Sequence, residues 1–398
     1  MRLSTANTFD ANIDALNTRR SDLARTQLEI SSGKRIAVPS DDPSAMARAE
    51  RALGGIQRSD IRQRAVDSSK TAMTLSEQAL GDATTLLQSV RETLVSAGTA
   101  TISDSDRQTL ADKLRSMRSD LLAVANRSDG AGSYLFGGQG ADQPPFIDAP
   151  SGVQYTATPG SSTLDANAGL ALSTNGQAAW MRASTGNGVF VTQAAAGVKQ
   201  AWIDAGQVTD PSAITGDSYS VKFSVASTGT TYAVLRNGQP TSVTAAAYSD
   251  GQSIAVGGLS FAVHGTPAQG DQFSVSPSTP TLSVFGAIDK AISDLSQPGK
   301  TGAQRSQDSA DNLRNVDAVM APIQSARTVA GQALARIDGE TSRLADLKLN
   351  QQSELSDAQD TDLTQSISSL QSQQTGYQAA LQSYAMVQKL SLFQYLNG

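Results

Sequence analysis

The stretch SSGKRIAVPSDDPS, residues 31–44, stands between two long segments patterned as helices. A phosphate-cradling loop would carry a glycine five residues before Gly33 and a Ser or Thr after the lysine; this chain has Leu28 and Arg35 there. Asp41 and Asp42 are adjacent carboxylates, but neighbours in sequence seldom converge on one atom. Asp42 also stands where an N-cap belongs, one residue before Pro43, and proline at the first helical position loses no needed hydrogen bond. Gly33 reads as the terminator of the preceding helix, Lys34 and Arg35 as cations near its negative end, and Ile36 and Val38 as an extended link. The stretch is therefore expected to be a helix corner built on Gly33, Asp42 and Pro43.

Upstream, between Thr5 and Ser32, Ile13, Leu16, Leu23 and Ile30 form a narrow stripe at spacings of three and seven, the period of a coiled-coil seam. Downstream, Ser44 to about Val95 carries Met46, Leu53, Ile56, Met73, Leu80, Leu87, Val90 and Leu94, one long helix if Gly54, Gly55 and Gly81 do not break it. Ser103 with Asp106 has the form of a capping box, and Leu110, Leu114, Met117, Leu121 and Val124 follow by four and three before Asn126, Gly130 and Gly132 end the helix. SYLFGGQGADQPPF reads as short strands with turns.

Residues 151–280 are rich in Ser, Thr, Gly and Ala, with strand alternation at Tyr219, Val221, Phe223 and Val225. Asn237 and Gly238 between alternating segments signal a hairpin, because both turn positions favour positive φ. Helical spacing resumes at Phe285, Ile288, Ile292 and Leu295. A long run from Leu313 to Leu344 follows, in which Pro322 is expected to kink the helix or begin a new one. The last helix presents Leu363, Ile367, Leu370, Tyr377, Leu381 and Tyr384.

The expected fold is thus mainly α with a β-rich insert: the N- and C-terminal segments form a long antiparallel coiled-coil bundle around a central β domain. The expected domains are 1–43 with 350–398, 44–150 with 281–349, and 151–280. No aromatic lies between Phe9 and Tyr134 or between Phe285 and Tyr377, so the bodies differ in composition.

Hydrophobic residues make up 39% and aromatics 5% of 398 residues, a thin apolar supply. A net charge of -6 without a Lys/Arg run argues against nucleic acid or an anionic membrane as partner. No apolar run approaches a membrane span, and MRLSTANTFDANIDALNTRR lacks the apolar core of a cleaved signal peptide. The absence of cysteine excludes disulfide and thiolate chemistry. His264, the single histidine, has no obvious carboxylate helper and reads as an ordinary strand residue. Trp180 and Trp202 are assigned to the small domain's core. No catalytic set, metal site or cofactor is expected, and the apolar heptads are read as packed seams rather than the walls of a cofactor cavity.

A narrow stripe on a lone helix does not offset the entropy of ordering its backbone, so the N-terminal helix needs a partner, for which the C-terminal helix is the obvious candidate. That pair would still leave Val387, Leu390, Leu392, Phe393 and Leu396 in need of cover from another chain. This pattern suits a polymer whose ends order on assembly.

LEISSGKRIAVPSDDPSAMARA, ANRSDGAGSYLFGGQGADQPPF, GTPAQGDQFSV and the terminal LSLFQYL resemble the hook-associated protein 3 family, relatives of flagellin in the bacterial flagellum. The likeness covers residues 1–150 and 281–398. It implies a structural subunit exported by the flagellar type III system, placed at the hook-filament junction between hook-associated protein 1 and flagellin. It further implies copies packed in a ring of about eleven and a cytoplasmic export chaperone on the C-terminal helix. The alternatives are flagellin itself, which is similar at SSGKRI and in helix order, and a secreted adhesin acting through the central β domain.

Overall fold

The computed structural model describes residues 5–99, 102–165 and 169–396. Among them are seven α-helices: α1 (Thr5–Ser32), α2 (Pro43–Ala97), α3 (Asp104–Ala125), α4 (Gly176–Trp180), α5 (Val284–Ser296), α6 (Gly302–Gln359) and α7 (Leu363–Leu396). The chain divides into two compact units, one made of the residues up to Arg64 with those from Thr341 on, the other of Ala65–Glu340. Both divisions fall inside helices, α2 and α6.

In the first unit α1 packs along α7. Thr361 N–H donates to Gly33 O at 3.0 Å, and a Cβ on Gly376 would meet Arg19 Nη1 at 2.8 Å, so the two helices run antiparallel. The α2 segment of this unit lies along the end of α6: Lys348 Nζ reaches Asp60 at 2.7 Å, and Gln351 lies over Gly55 and accepts from Ser59 Oγ at 3.3 Å.

The second unit holds the main core. α2 runs unbroken through Gly54, Gly55 and Gly81, and its buried Leu80, Leu87 and Val90 join Leu114 and Leu121 of α3, Phe285 and Ile288 of α5, and Val316 and Ile323 of α6. α3 begins as the sequence suggests: Ser103 accepts from Asp106 N–H, Asp106 accepts from Ser103 N–H, and Asn126 is the C-cap. Ion pairs join α2 to α6 at Lys70–Asp338 (2.8 Å), Glu77–Arg327 (2.7 Å) and Arg91–Asp317 (2.8 Å). At their exposure they set register more than they add stability.

One expectation is corrected here and another is narrowed. Residues 133–145 form turns rather than strands, with Leu135 and Phe136 fully buried, and the first strand, β1 (Phe146–Ala149), pairs with β2 (Gly152–Tyr155) beyond them. Pro322 begins no new helix; it lies within α6, because proline costs one hydrogen bond that flanking packing by the buried Val319 and Ile323 outweighs. A second hairpin, β3 (Thr163–Asp165) with β4 (Leu170–Ala171), precedes α4.

The central β module has two antiparallel sheets. One has the order β10-β9-β8-β14-β5, from β5 (Phe190–Ala194), β8 (Tyr219–Ala226), β9 (Gly229–Arg236), β10 (Gln239–Pro240) and β14 (Gln272–Pro277), with β11 (Ala246–Ala247) also on β9. The other joins β12 (Ser253–Val256), β13 (Leu259–Gly265) and β6 (Ala201–Ile203), with β7 (Gln207–Val208) on β13. Tyr219, Val221 and Phe223 point into a core shared with Phe261, Val263 and Phe273, while Val225 is 46% exposed at the far end of β8. Asn237 (φ 50°) and Gly238 (φ 81°) make the tight turn between β9 and β10.

The tryptophans are divided between cores. Trp180 belongs to the helical core, stacked on Phe285 at 5.9 Å and edge-on to Phe136 at 5.5 Å. This corrects its assignment to the β module: α4 carries it under the helices. Trp202 is half-buried on β6 and stacks on His264, its cross-strand partner on β13, at 4.4 Å.

Candidate assembly surfaces

The corner at residues 31–44 is built from its own backbone. Gly33 has φ 69° with open space around its Cα, so it reverses the chain after α1 at no steric cost. Asp42 Oδ1 accepts from Ser44 N–H at 3.1 Å, Ala45 N–H at 3.0 Å and Ser44 Oγ at 2.8 Å, capping α2. Asp41 Oδ2 accepts from Ala37 and Val38 N–H, both at 3.1 Å. These bonds favour the ionised forms. The Val38 and Ala37 amides hold Asp41 below the usual carboxylate range, and the Ala45 amide and Ser44 hydroxyl do the same for Asp42. Both carboxylates are occupied in holding the loop.

This corner docks on a second one. Arg35 N–H donates to Gln359 O at 2.8 Å, Arg35 Nη2 donates to Ala358 O at 3.3 Å, and Lys34 forms a β-bridge with Asp360. Asp362 caps α7 as Asp42 caps α2, its Oδ1 accepting from Gln365 N–H at 3.0 Å. Ile36, Ala45, Ala49 and Ala358 are buried around the pair of corners. Asp362 was not singled out from sequence, although an aspartate directly before the Leu363 stripe was the available signal.

The seam between α1 and α7 is thin. Ile13, Leu16, Leu23 and Ile30 are half-buried, and Thr26, which donates to Asp22 O at 3.1 Å, is the buried residue of α1 among the described side chains. On α7 the half-buried positions are Ser366, Ser369, Leu370, Gln373, Gly376, Tyr377, Ala380 and Tyr384, three and four apart. The structure therefore brings Leu370, Tyr377 and Tyr384 to this face, together with small and polar residues that hydrophobicity alone does not mark. Leu363, Ile367 and Leu381 lie outside it at 50%, 48% and 42% exposure, and Leu28 and Met386 are exposed as well. Val387, Leu390, Leu392, Phe393 and Leu396 are on the helical backbone of α7, but their side chains lie outside the described residues.

Among the described residues, no three His, Asp or Glu side chains gather where they could hold a metal ion, and no helix is long and apolar enough to cross a membrane. His264 Nδ1 is 3.9 Å from Asp250.

Residues 4–141, which include the corner, match the family model of the bacterial flagellin N-terminal helical region. This region of the chain is therefore similar to the flagellin superfamily. The chain is 33% identical over 153 residues to flagellar hook-associated protein 3 of Salmonella typhimurium, covering 38% of this chain and 48% of that protein. The chain thus spans about half the length of the curated relatives it matches. Among solved structures, the Xanthomonas campestris flagellar protein FlgL is 27% identical with a TM-score of 0.69, over 77% of this chain and 99% of that one. Flagellar hook-associated protein-3 of Legionella pneumophila, at 24% identity, shares the fold with a TM-score of 0.71, over the same 77% and 99%. A second family model, the D2-like domain of flagellar hook-associated protein 1, matches residues 192–277, which span β5 to β14. The β module thus has a counterpart within the flagellar hook-associated proteins, which its Ser- and Thr-rich sequence did not disclose.

Proposed function

We propose that this chain is a member of the flagellin superfamily and a structural, non-enzymatic subunit of the bacterial flagellum, a junction adaptor that joins hook-associated protein 1 to the flagellin filament. The observation that carries the reading is the likeness to Xanthomonas FlgL, which runs over 99% of that protein at 27% identity. The thin α1–α7 seam supports it physically. Helices that leave Leu28, Leu363, Ile367, Leu381 and Met386 exposed gain burial only from further chains. In this reading Ile13, Leu16, Leu23, Ile30, Leu370, Tyr377 and Tyr384 hold α1 to α7, and Leu363, Ile367 and Leu381 meet neighbouring copies in a ring of about eleven. Residues 1–43 with 350–398 form the inner layer, 44–150 with 281–349 the surrounding one, and 151–280 the outer surface. Val387, Leu390, Leu392, Phe393 and Leu396 are offered to a cytoplasmic export chaperone before type III secretion and to a neighbour afterwards.

The N-terminal family model is shared with flagellin, so a filament subunit is the second reading. Deletion of the gene separates the two. Loss of a junction adaptor leaves hooks without filaments and releases flagellin into the medium. Hooks without filaments and no released flagellin would assign the chain to the filament itself.

A further inference from the structure

The apolar cores of the helices and of the β module share no residue; that of the module lies entirely within residues 190–275. The chain passes between them through a neck two strands wide, where Ala183 N–H donates to Leu282 O at 2.9 Å, Leu282 N–H to Ala183 O at 3.0 Å and Thr185 N–H to Thr279 O at 3.0 Å. A polar contact joins the module to α6 as well. At steps of three and four along one helical face, Thr301, Gln304, Gln307 and Arg314 reach β5, β6 and the turn before β6. Thr301 and Gln304 form a capping box at the start of α6: Gln304 N–H donates to Thr301 Oγ1 at 3.2 Å and Thr301 N–H to Gln304 Oε1 at 3.1 Å. Their remaining donors go to the module, Thr301 Oγ1 to Lys199 O and Gln304 Nε2 to Val198 O at 3.2 Å. Further along, Gln307 Oε1 accepts from Ile203 N–H at 2.8 Å, and Arg314 Nη1 donates to Thr192 Oγ1 at 3.2 Å.

Gln307 is the centre of this contact. It is 8% exposed, and its Nε2 donates to Asp311 Oδ1 at 3.0 Å. Turning the amide over would set its oxygen against that carboxylate, so Oε1 stays aimed at Ile203. β6 stands at the end of its sheet, and an edge N–H that is buried without an acceptor is costlier than one open to water. We infer that the β module is a hinged body and that Gln307 is the latch holding it in one orientation on α6. With Gln307 present, the buried Ile203 amide has its acceptor while the module lies against the helix. Without Gln307, the same amide finds an acceptor in water once the module swings about its neck, and no apolar core common to the two bodies opposes the swing. The span that matches the D2-like domain model, residues 192–277, ends before α6, so the latch residues belong to the helical body and not to the module.

The chain has no cysteine, so Ser119→Cys on α3 and Lys222→Cys on β8, both at exposed positions, place a pair of nitroxide labels on the two bodies. Double electron–electron resonance on the full chain is expected to give one narrow distance distribution between them, and a markedly broader one when Gln307→Ala is added. In that variant the Ile203 amide should exchange its hydrogen roughly tenfold faster, as the loss of one hydrogen bond requires, while the amides of α3 and β8 exchange as before. A broad distribution with Gln307 intact, or an equally narrow one in Gln307→Ala, would overturn the proposal. Faster exchange throughout β8 would overturn it too, because Gln307 would then hold the module's fold and not its orientation.

Discussion

Paired truncations, Leu87→Ala and Leu23→Ala, test whether the two units are stabilised separately. Leu87 is fully buried among helical-core residues of the second unit, whereas Leu23 is half-buried on the α1–α7 seam of the first. Removing a fully buried leucine side chain costs about 2–5 kcal/mol, because the cavity left behind adds to the lost transfer energy. For a cooperative unit of this size, that lowers Tm by roughly 5–15 °C. Half the burial of a leucine is about 1–1.5 kcal/mol, and it falls on a unit that exposes several other leucines. Both tryptophans, Trp180 and Trp202, lie in the second unit, so thermal melts followed by tryptophan fluorescence report that unit alone. Leu87→Ala is expected to shift the fluorescence melt by the full amount and Leu23→Ala to leave it within about 2 °C. Hydrogen exchange on the dilute monomer should show α1 and α7 exchanging faster than α3 and α5. A Leu23→Ala shift as large as that of Leu87→Ala, or equally slow exchange in α1 and α3, would refute the reasoning.

Two glycines separate backbone strain from collision: Gly33→Ala meets open space and costs about 1 kcal/mol from positive φ alone, whereas a Cβ on Gly138 would lie 1.9 Å from Thr158 O. Circular dichroism melts should therefore rank Gly138→Ala as much the more damaging. Arg118 bonds Asp148 at 2.7 and 2.8 Å and Asp289 at 3.2 Å; the hydrogen bonds to Asp148 foremost hold its guanidinium above its ordinary value. Arg118→Met is expected to cost about 1–3 kcal/mol in urea titrations, discounted for the exposure of both carboxylates. Asp217 is lowered to about 2 by the Thr215 hydroxyl, then by Arg236 and Asn237. Its folded value is depressed, so the unfolded chain binds more protons below its ordinary value, and the contribution is present above about pH 4 and lost as pH falls toward 2. Asp217→Asn should flatten the pH dependence of the Trp202 melt across that window.

The corner was legible because its parts act locally. Gly33, Asp42 and Pro43 each fix φ or satisfy an amide within three residues, and a reader of sequence sees that whole range. The hairpin at Asn237 and Gly238 and the capping box at Ser103 were legible for the same reason. The α7 face was only partly so. Its half-buried positions include Ser366, Ser369, Gly376 and Ala380, small residues that allow close approach but leave no hydrophobic signal. Trp180 was misassigned because alternation shows that a ring is buried, not which of two cores receives it. The division at Arg64 and Thr341 lies inside α2 and α6, where the helical period continues and no turn residue marks a change. The β module's topology rests on pairs such as Phe190 with Pro277, far apart in the chain, which no local pattern encodes.

That last pair has a wider consequence. Since Phe190 and Pro277 sit opposite one another on adjacent strands, the chain leaves the module beside the point where it came in. A segment mounted through so narrow a doorway can be enlarged, exchanged or lost over evolutionary time without stretching the helices on either side. The β module and the helices that carry it can therefore diversify at different rates within one polypeptide.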